Sequence, residues 1–174
     1  MGRTHALFGI SALWLMKPLG LITTDNLAPL VLIAVIGALA PDLDASESKL
    51  KRFSVIGITP FAPLSQVLHQ SFGHRGLLHS LAGLGLFTIL CALPFALWLG
   101  WPFGIALSLG YASHLLADSA TKSGIPLLYP QRKRYHLLPK GWRLTTGSMA
   151  EEMILPFLAF AIFLLLFKNL ALIT

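Results

Sequence analysis

His114 and Asp118 are two cation-binding side chains spaced four residues apart. In a helix this spacing places both on one face, where they can share a metal ion or form a hydrogen bond across one turn. The residues around them are apolar, and an ionisable group in such a run costs roughly 3 kcal/mol unless a partner or a metal compensates it. The pair alone leaves both interpretations open.

Asp42 and Asp44 follow Pro41 at the end of another apolar run. Because proline disrupts a helix, the two carboxylates emerge where the chain leaves the apolar segment. Carboxylate oxygens bind hard and borderline cations. The alternative is that these aspartates cap a short polar helix, which residues 46–52 could form.

His74 and His79 lie on either side of Arg75, near the start of a third apolar run. A spacing of five turns an ideal helix by about 140°, so both imidazoles cannot point the same way from one regular helix. We therefore expect His74 in a loop or an irregular first turn, with Gly76 supplying the backbone freedom to fold back. The alternative is that His79 packs against another helix and His74 is solvated.

His5 and Glu151 lie near the starts of the first and last apolar runs. Ser148 and Glu151 have the spacing of a capping box, which would give the glutamate a structural role. A capping carboxylate can also orient a metal-bound histidine. On this second interpretation Glu151 supports the same site as the other acids and histidines.

The composition is that of a membrane protein. Of 174 residues 55% are hydrophobic and 11% are charged, with a mean hydropathy of +0.73, which is too apolar for a water-soluble domain of this size. Thirteen Lys and Arg outnumber seven Asp and Glu, but in a membrane chain the position of the charges matters more than their sum, and we expect no nucleic-acid partner. The single Cys91 can form no internal disulfide.

The apolar stretches predict an all-α integral membrane bundle with about five transmembrane helices, forming one domain over residues 1–174. Each stretch has to be helical in lipid, because a helix satisfies its own backbone hydrogen bonds. Residues 53–72 are also apolar but contain two prolines, and they are expected to lie on the membrane or to enter it as a re-entrant loop. The five stretches are 6–22, 27–41, 77–99, 103–118 and 151–172.

Five crossings place the N-terminus and the two long loops on the same side of the membrane. All Lys and Arg except Lys17 and Lys168 fall on that side, so the positive-inside rule makes it cytoplasmic. All six histidines and every acid except Asp25 fall there as well. Each predicted helix therefore brings a histidine or an acid to one membrane face.

This convergence predicts a metal centre. Three or four His with three Asp exceed the needs of one tetrahedral ion and match a two-metal hydrolytic site with one position left for water. Mixed imidazole and carboxylate ligands suit zinc or manganese, whereas magnesium alone would not explain the imidazoles. We expect one or two divalent ions, with zinc favoured.

Five short motifs carry these residues in order along nearly the whole chain. They are Thr4-His5-Ala-Leu-Phe-Gly9, Ala40-Pro-Asp-Leu-Asp44, His74-Arg-Gly-Leu-Leu-His-Ser80, His114-Leu-Leu-Ala-Asp118 and Thr146-Gly-Ser-Met-Ala-Glu151. The set resembles the bacterial family of inner-membrane-bound metal-dependent hydrolases, a YdjM-like family described as LexA-regulated. The resemblance implies a helical protein of the bacterial inner membrane with a metal centre and hydrolase activity. The ligand types and the His-x-x-x-Asp spacing are also remotely similar to the zinc-dependent phospholipase C and nuclease group.

The leading hypothesis is a membrane-bound metal-dependent hydrolase acting on a lipid or membrane-proximal ester, most plausibly a phosphoester, at the cytoplasmic interface through metal-activated water. Asp44 would bridge the ions or act as a base, Glu151 would orient a ligand, and Arg75 would bind substrate phosphate. The expected metal ligands are His5, Asp42, Asp44, His74, His79, His114 and Asp118.

Two other functions remain open. A metal-binding membrane protein without hydrolytic activity, such as an ion carrier, would also place His and Asp in apolar spans, although a carrier needs polar groups near the midplane. A membrane scaffold that binds partners through its basic loops would explain the charges and leave the His and Asp without a role. The sequence does not indicate the oligomeric state.

Overall fold

A computed structural model of the protein describes residues 2–44 and 76–171. Within these residues the chain is helical and contains no β-strand beyond two isolated bridges, which confirms the all-α prediction for this part. The predicted segment 53–72 lies outside the described residues. Five helices lie in this part of the chain: α1 (Gly2–Ala12), α2 (Thr24–Leu39), α3 (Leu81–Leu99), α4 (Trp101–Ser119) and α5 (Met149–Ala171).

The five helices lie close to the five predicted stretches, with different boundaries. α1 begins four residues before its stretch and tightens at Leu13 into a 3₁₀ segment, Leu13–Leu19, which ends at Gly20 with φ of +65°. A short 3₁₀ turn, Pro41–Asp44, follows α2. His79 was expected at or inside the start of the third helix, and it lies in a separate 3₁₀ turn, Leu77–His79, because Ser80 caps α3.

α3 is the one helix among the described residues that is long and apolar enough to cross a membrane by the criteria of length and composition. Its 19 residues extend about 28 Å, close to the ~30 Å of a bilayer's hydrocarbon core. A π-helical segment, Thr88–Ala92, interrupts it. Most of its surface is exposed, as expected of a helix that faces lipid.

α1, α2 and α4 form a tightly packed group of three helices. A Cβ atom at Gly37 of α2 would collide with the carbonyl oxygen of Leu107, and one at Gly110 of α4 would collide with that of Ala34. At Gly9 of α1 an added Cβ would lie 2.7 Å from the Cβ of Ala38. Small residues allow these backbones to approach closely, as is common between membrane helices.

Residues 120–148 form an ordered segment between α4 and α5. The backbone of Leu144 bonds to both Ala120 and Lys122, and the amide of Leu137 donates to the carbonyl of Ser119. The amide of Leu81 donates to the carbonyl of Leu127, which ties the segment to the start of α3. The segment therefore covers the end of the bundle where α3 begins and α4 ends.

Candidate metal centre

Five of the predicted site residues meet at this end of the bundle. We call them the His/Asp cluster: His5 from α1, Asp42 from the turn after α2, His79 from the turn before α3, and His114 and Asp118 from α4. All except Asp42 are buried. Four separate segments of the chain therefore contribute to one polar group inside an apolar bundle.

The orientation of His114 is set by the end of α2. Its Nδ1 lies 2.7 Å from the carbonyl oxygen of Ala38. Because a carbonyl oxygen can only accept, Nδ1 carries the hydrogen, and in the neutral form of the ring the lone pair of Nε2 points into the cluster. A backbone carbonyl that accepts from the second ring nitrogen is the usual support of a metal-bound histidine.

Three atoms of the cluster surround a point that suits a metal ion. The Nε2 atoms of His79 and His114 and the Oδ1 atom of Asp42 form a triangle with sides of 3.3, 3.7 and 3.7 Å, whose centre lies about 2.1 Å from every corner. Zinc binds imidazole nitrogen at about 2.0–2.1 Å and carboxylate oxygen at about 2.0–2.2 Å. The donor set and its spacing therefore fit a zinc-like ion.

Asp118 connects this triangle to His5. Its Oδ2 lies 3.7 Å from His79 Nε2, and its Oδ1 lies 3.5 Å from His5 Nε2. The His5 ring also stacks on His114, with 3.9 Å between the ring centroids and 24° between the planes. The cluster contains two overlapping groups of possible metal ligands. The first is His5, Asp42 and His114, and the second is His79, His114 and Asp118. Within each group the ligand atoms lie within 4.8 Å of one another.

A small cavity of about 50 Å³ borders the cluster at His5 and Asp118. Its wall includes three threonines, Thr4, Thr121 and Thr146. The Nδ1 atom of His5 is buried and has no hydrogen-bond partner among the described residues. The cavity beside this histidine is large enough to hold a water molecule.

The position of His79 depends on residues that the sequence analysis did not identify. The hydroxyl of Tyr111 in α4 donates to the carbonyl oxygen of Leu78 over 2.6 Å. Ser80 accepts from the amide of Gly83 at 3.1 Å and donates to the carbonyl of Leu77 at 2.6 Å. These bonds fix the 3₁₀ turn on both sides of His79 and so determine where its ring lies.

Asp42 is the part of the cluster that solvent reaches, with 24% of its side chain exposed. Burial raises the pKa of this carboxyl, but the neighbouring imidazole of His79, and those of His114 and His5 when they are protonated, lower it by more, so the pKa lies below its usual range. The carboxylate is therefore ionised at neutral pH and available to a cation.

The other predicted site residues cannot be placed in the cluster from this structure. The backbone of Asp44 lies in the turn after α2 and that of Glu151 in the first turn of α5, while their side chains are not described. His74 and Arg75 lie outside the described residues. His136 lies apart from the cluster, with its Nε2 atom 3.2 Å from the carbonyl oxygen of Lys122.

The sequence contains two patterns that indicate the supporting residues of the cluster in α2 and α4. Ala34, Gly37 and Ala38 lie on one face of α2, the small-residue pattern of closely packed membrane helices. Tyr111 is one helical turn before His114, on the same side of α4. Its pairing with the backbone of Leu78 depends on tertiary structure and has no local signature.

The chain matches a family model described as "YdjM inner membrane protein" over residues 1–172. It is 37% identical over 109 residues to "Inner membrane protein YdjM" of Escherichia coli (strain K12), covering 60% of this chain and 50% of that protein. The Shigella flexneri protein of the same name matches with the same values. The chain thus spans about half the length of these curated relatives.

A third relative is covered more fully. It is described as "Uncharacterized protein YvsG" of Bacillus subtilis (strain 168), and it is 34% identical over 127 residues, covering 72% of this chain and 71% of that protein. No solved structure matches the chain.

Proposed function

This chain belongs to the YdjM family of inner membrane proteins, and on that premise we propose that it is a membrane-bound, metal-dependent hydrolase. Its substrate would be a lipid or a membrane-proximal ester, with a phosphoester favoured, hydrolysed at the cytoplasmic interface. The carrying observation is the triangle of His79, His114 and Asp42, whose dimensions suit a divalent ion.

Charge supports the presence of a cation. Asp42 and Asp118 lie within 3.7 Å of His79 in an apolar bundle, and carboxylates are costly there unless positive charge compensates them. Neutral imidazoles with carboxylates form a ligand set that favours zinc, with manganese as the second choice. An ion bound here would lower the pKa of a bound water to near 7 and so supply a nucleophile.

The geometry limits how many ions the described residues can hold. His114 uses Nδ1 for Ala38, so its one remaining nitrogen can serve one ion. His79, His114 and Asp42 would hold that ion, with Asp118 Oδ2 nearby. A second ion would use Asp118 Oδ1 and His5, completed by His74 and Asp44, so Asp118 would bridge the two.

The remaining roles follow from the sequence. Asp44 would bridge the ions or accept a proton from the attacking water, and Glu151 would orient a ligand. Arg75, between two proposed ligands, would bind substrate phosphate. Substrate would approach past Asp42, because the other four side chains of the cluster are buried.

We further propose that residues 1–174 form one domain that crosses the membrane five times with the N-terminus in the cytoplasm. The cluster then lies at the cytoplasmic headgroup level, since it occupies the end of the bundle shared with the basic loops. This position supports a site for lipid headgroups better than an ion pathway, which would require polar groups through the middle of the bundle.

Elemental analysis of the detergent-purified protein tests the metal centre. We expect one or two zinc or manganese ions per chain, and less than about a tenth of that in the His114→Ala and Asp118→Ala variants. His136→Ala is the matched control, because His136 lies outside the cluster, and it should retain the metal. A metal-free wild type after metal supplementation, with unchanged variants, would exclude the proposal.

Hydrolysis of bis-p-nitrophenyl phosphate and of phospholipids in mixed micelles tests the reaction. Activity that requires the metal and is lost in His114→Ala supports the hydrolase. A metal-loaded protein that is inactive on these and other esters, but moves metal across vesicle membranes, would favour the carrier instead.

A further inference from the structure

A second cavity lies on another face of α4. It is a groove of about 430 Å³ between the start of α3, the second half of α4 and the segment 120–148. Apolar side chains make up most of its wall, including Leu84, Ala112, Leu115 and Leu127. Its volume is within the range of about 300–1,000 Å³ that is typical of ligand sites.

This groove is separate from the His/Asp cluster. On α4 it is bordered by Ala112, Leu115, Leu116 and Ser119, which form one helical stripe at the spacing i, i+3, i+4 and i+7. His114 and Asp118 lie on a different side of the same helix, toward α1 and α2. A ligand in the groove would not touch the proposed metal ligands.

The segment that borders the groove is positively charged. Tyr135 borders the groove, and the Nζ atom of Lys133 lies 5.5 Å from the centroid of the Tyr135 ring. Residues 119–150 contain six Lys and Arg and no Asp or Glu. Lys133 lies between Arg132 and Arg134, and all three are exposed.

An apolar groove beside a cationic segment, at the end of a membrane bundle, matches one class of ligand. We propose that it binds an anionic phospholipid, with an acyl chain in the groove and the phosphate beside Lys133. Apolar burial would hold the chain, and the basic segment would select the anionic headgroup. The exposed side chains of Leu81, Leu116 and Leu137 at the rim make the groove continuous with lipid-facing surface.

Lipid retention tests this site. The full chain is reconstituted in vesicles of phosphatidylcholine with one tenth phosphatidylglycerol, extracted in mild detergent and purified, and the retained lipids are counted by mass spectrometry. We expect about one phosphatidylglycerol per chain, at least fivefold enriched over its share in the vesicles. Ala112→Phe, which fills the groove, and Leu116→Gln, which makes its rim polar, should each reduce retention at least fivefold.

Matched controls separate the groove from the general surface. Leu97→Gln changes an exposed leucine at the far end of α3 and should retain the lipid. Lys133→Gln should lose the preference for phosphatidylglycerol, whereas Lys17→Gln, a lysine 5.8 Å from the Trp14 ring, should keep it. Retained lipid with the vesicle composition, or equal retention in groove and control variants, overturns the proposal. The metal content of Ala112→Phe should equal that of wild type, so this result is independent of the metal centre.

Discussion

The Nε2 atoms of His79 and His114 lie 3.3 Å apart in the interior of the bundle. Two ring nitrogens at this distance either share one hydrogen or direct two lone pairs at a common cation. The Oδ1 atom of Asp42 lies at 3.7 Å from both, which adds a negative charge at the third corner. A single cation position would satisfy all three atoms.

Tyr111 should control metal affinity through His79. Tyr111→Phe removes the hydroxyl that donates to Leu78 and keeps the ring, so the turn carrying His79 loses its attachment to α4. We expect the affinity for zinc to fall by about 10- to 100-fold, as for other residues that orient ligands. Competition with a chelator measures the affinity, and the visible spectrum of the cobalt-substituted protein reports a change in ligand geometry.

Ser108→Ala is the control for this variant, since Ser108 pairs with Thr88 between α3 and α4 at 3.4 Å. It also removes a hydroxyl from α4 but should leave affinity and spectrum unchanged. A Tyr111→Phe protein that binds zinc and cobalt like wild type would contradict the positioning role.

Gly37 should be intolerant of even one added carbon. In Gly37→Ala the Cβ would collide with the carbonyl oxygen of Leu107, forcing α2 away from α4 and moving Ala38 from His114. We expect a lower melting temperature and a loss of bound metal. Gly85→Ala is the matched control, because nothing lies within 4 Å of its added Cβ, and alanine is the better helix former by up to about 1 kcal/mol. Equal melting temperatures for the two variants would argue against the close helix contact.

Metal removal should destabilise the folded protein. A ligand that binds only the folded state raises the free energy of unfolding by about 2.7 kcal/mol when its free concentration is about a hundred times its Kd. Chelation should therefore lower the melting temperature, and added zinc should restore it. Thermal unfolding in detergent, followed by circular dichroism, measures both steps. In the Asp118→Asn variant, neither chelation nor added zinc should change the melting temperature by much. If the melting temperature of the wild type does not change with chelator or with added zinc, the cluster is stable without an ion.

Asp44 should matter for turnover more than for metal content if it acts as the base. We expect Asp44→Asn to keep at least one ion and to lose 10²- to 10⁴-fold in rate, the usual contribution of a general base. Metal analysis and hydrolysis assays on the same preparation separate the two effects. Loss of the metal would instead identify Asp44 as a ligand. Glu152→Gln, at an exposed position of α5, should retain both metal and rate.

The sequence was most informative where chemistry and hydrophobic pattern coincide. His114 and Asp118 are ionisable residues in an apolar helix, and such residues need compensation wherever the helix packs. His5 alone gave little indication of a metal site. It was predicted as a ligand because all the histidines fall on one predicted membrane face. The structure then brought it to within 3.5 Å of Asp118.

The remaining features depend on contacts that a linear pattern does not contain. The hydrogen bond from His114 to Ala38 joins residues 76 positions apart, and Ala38 has no side-chain chemistry to indicate it. Helix boundaries shifted because caps and tight turns compete with hydrophobic runs, as Ser80 shows by excluding His79 from α3. The groove near Lys133 is formed by two helices and a loop, and none of their sequences alone indicates a cavity.

The cluster draws its members from position 5 to position 118 of the chain. In the proposed five-span topology, α1 and α2 would enter the membrane well before α4 is made, and until then His5 and Asp42 have neither His114 nor Asp118 beside them. The ion could therefore be captured only after the fourth helix has been inserted and packed. Metal content would thus report that α4 has been inserted and packed, and a chain truncated before α4 would contain no metal.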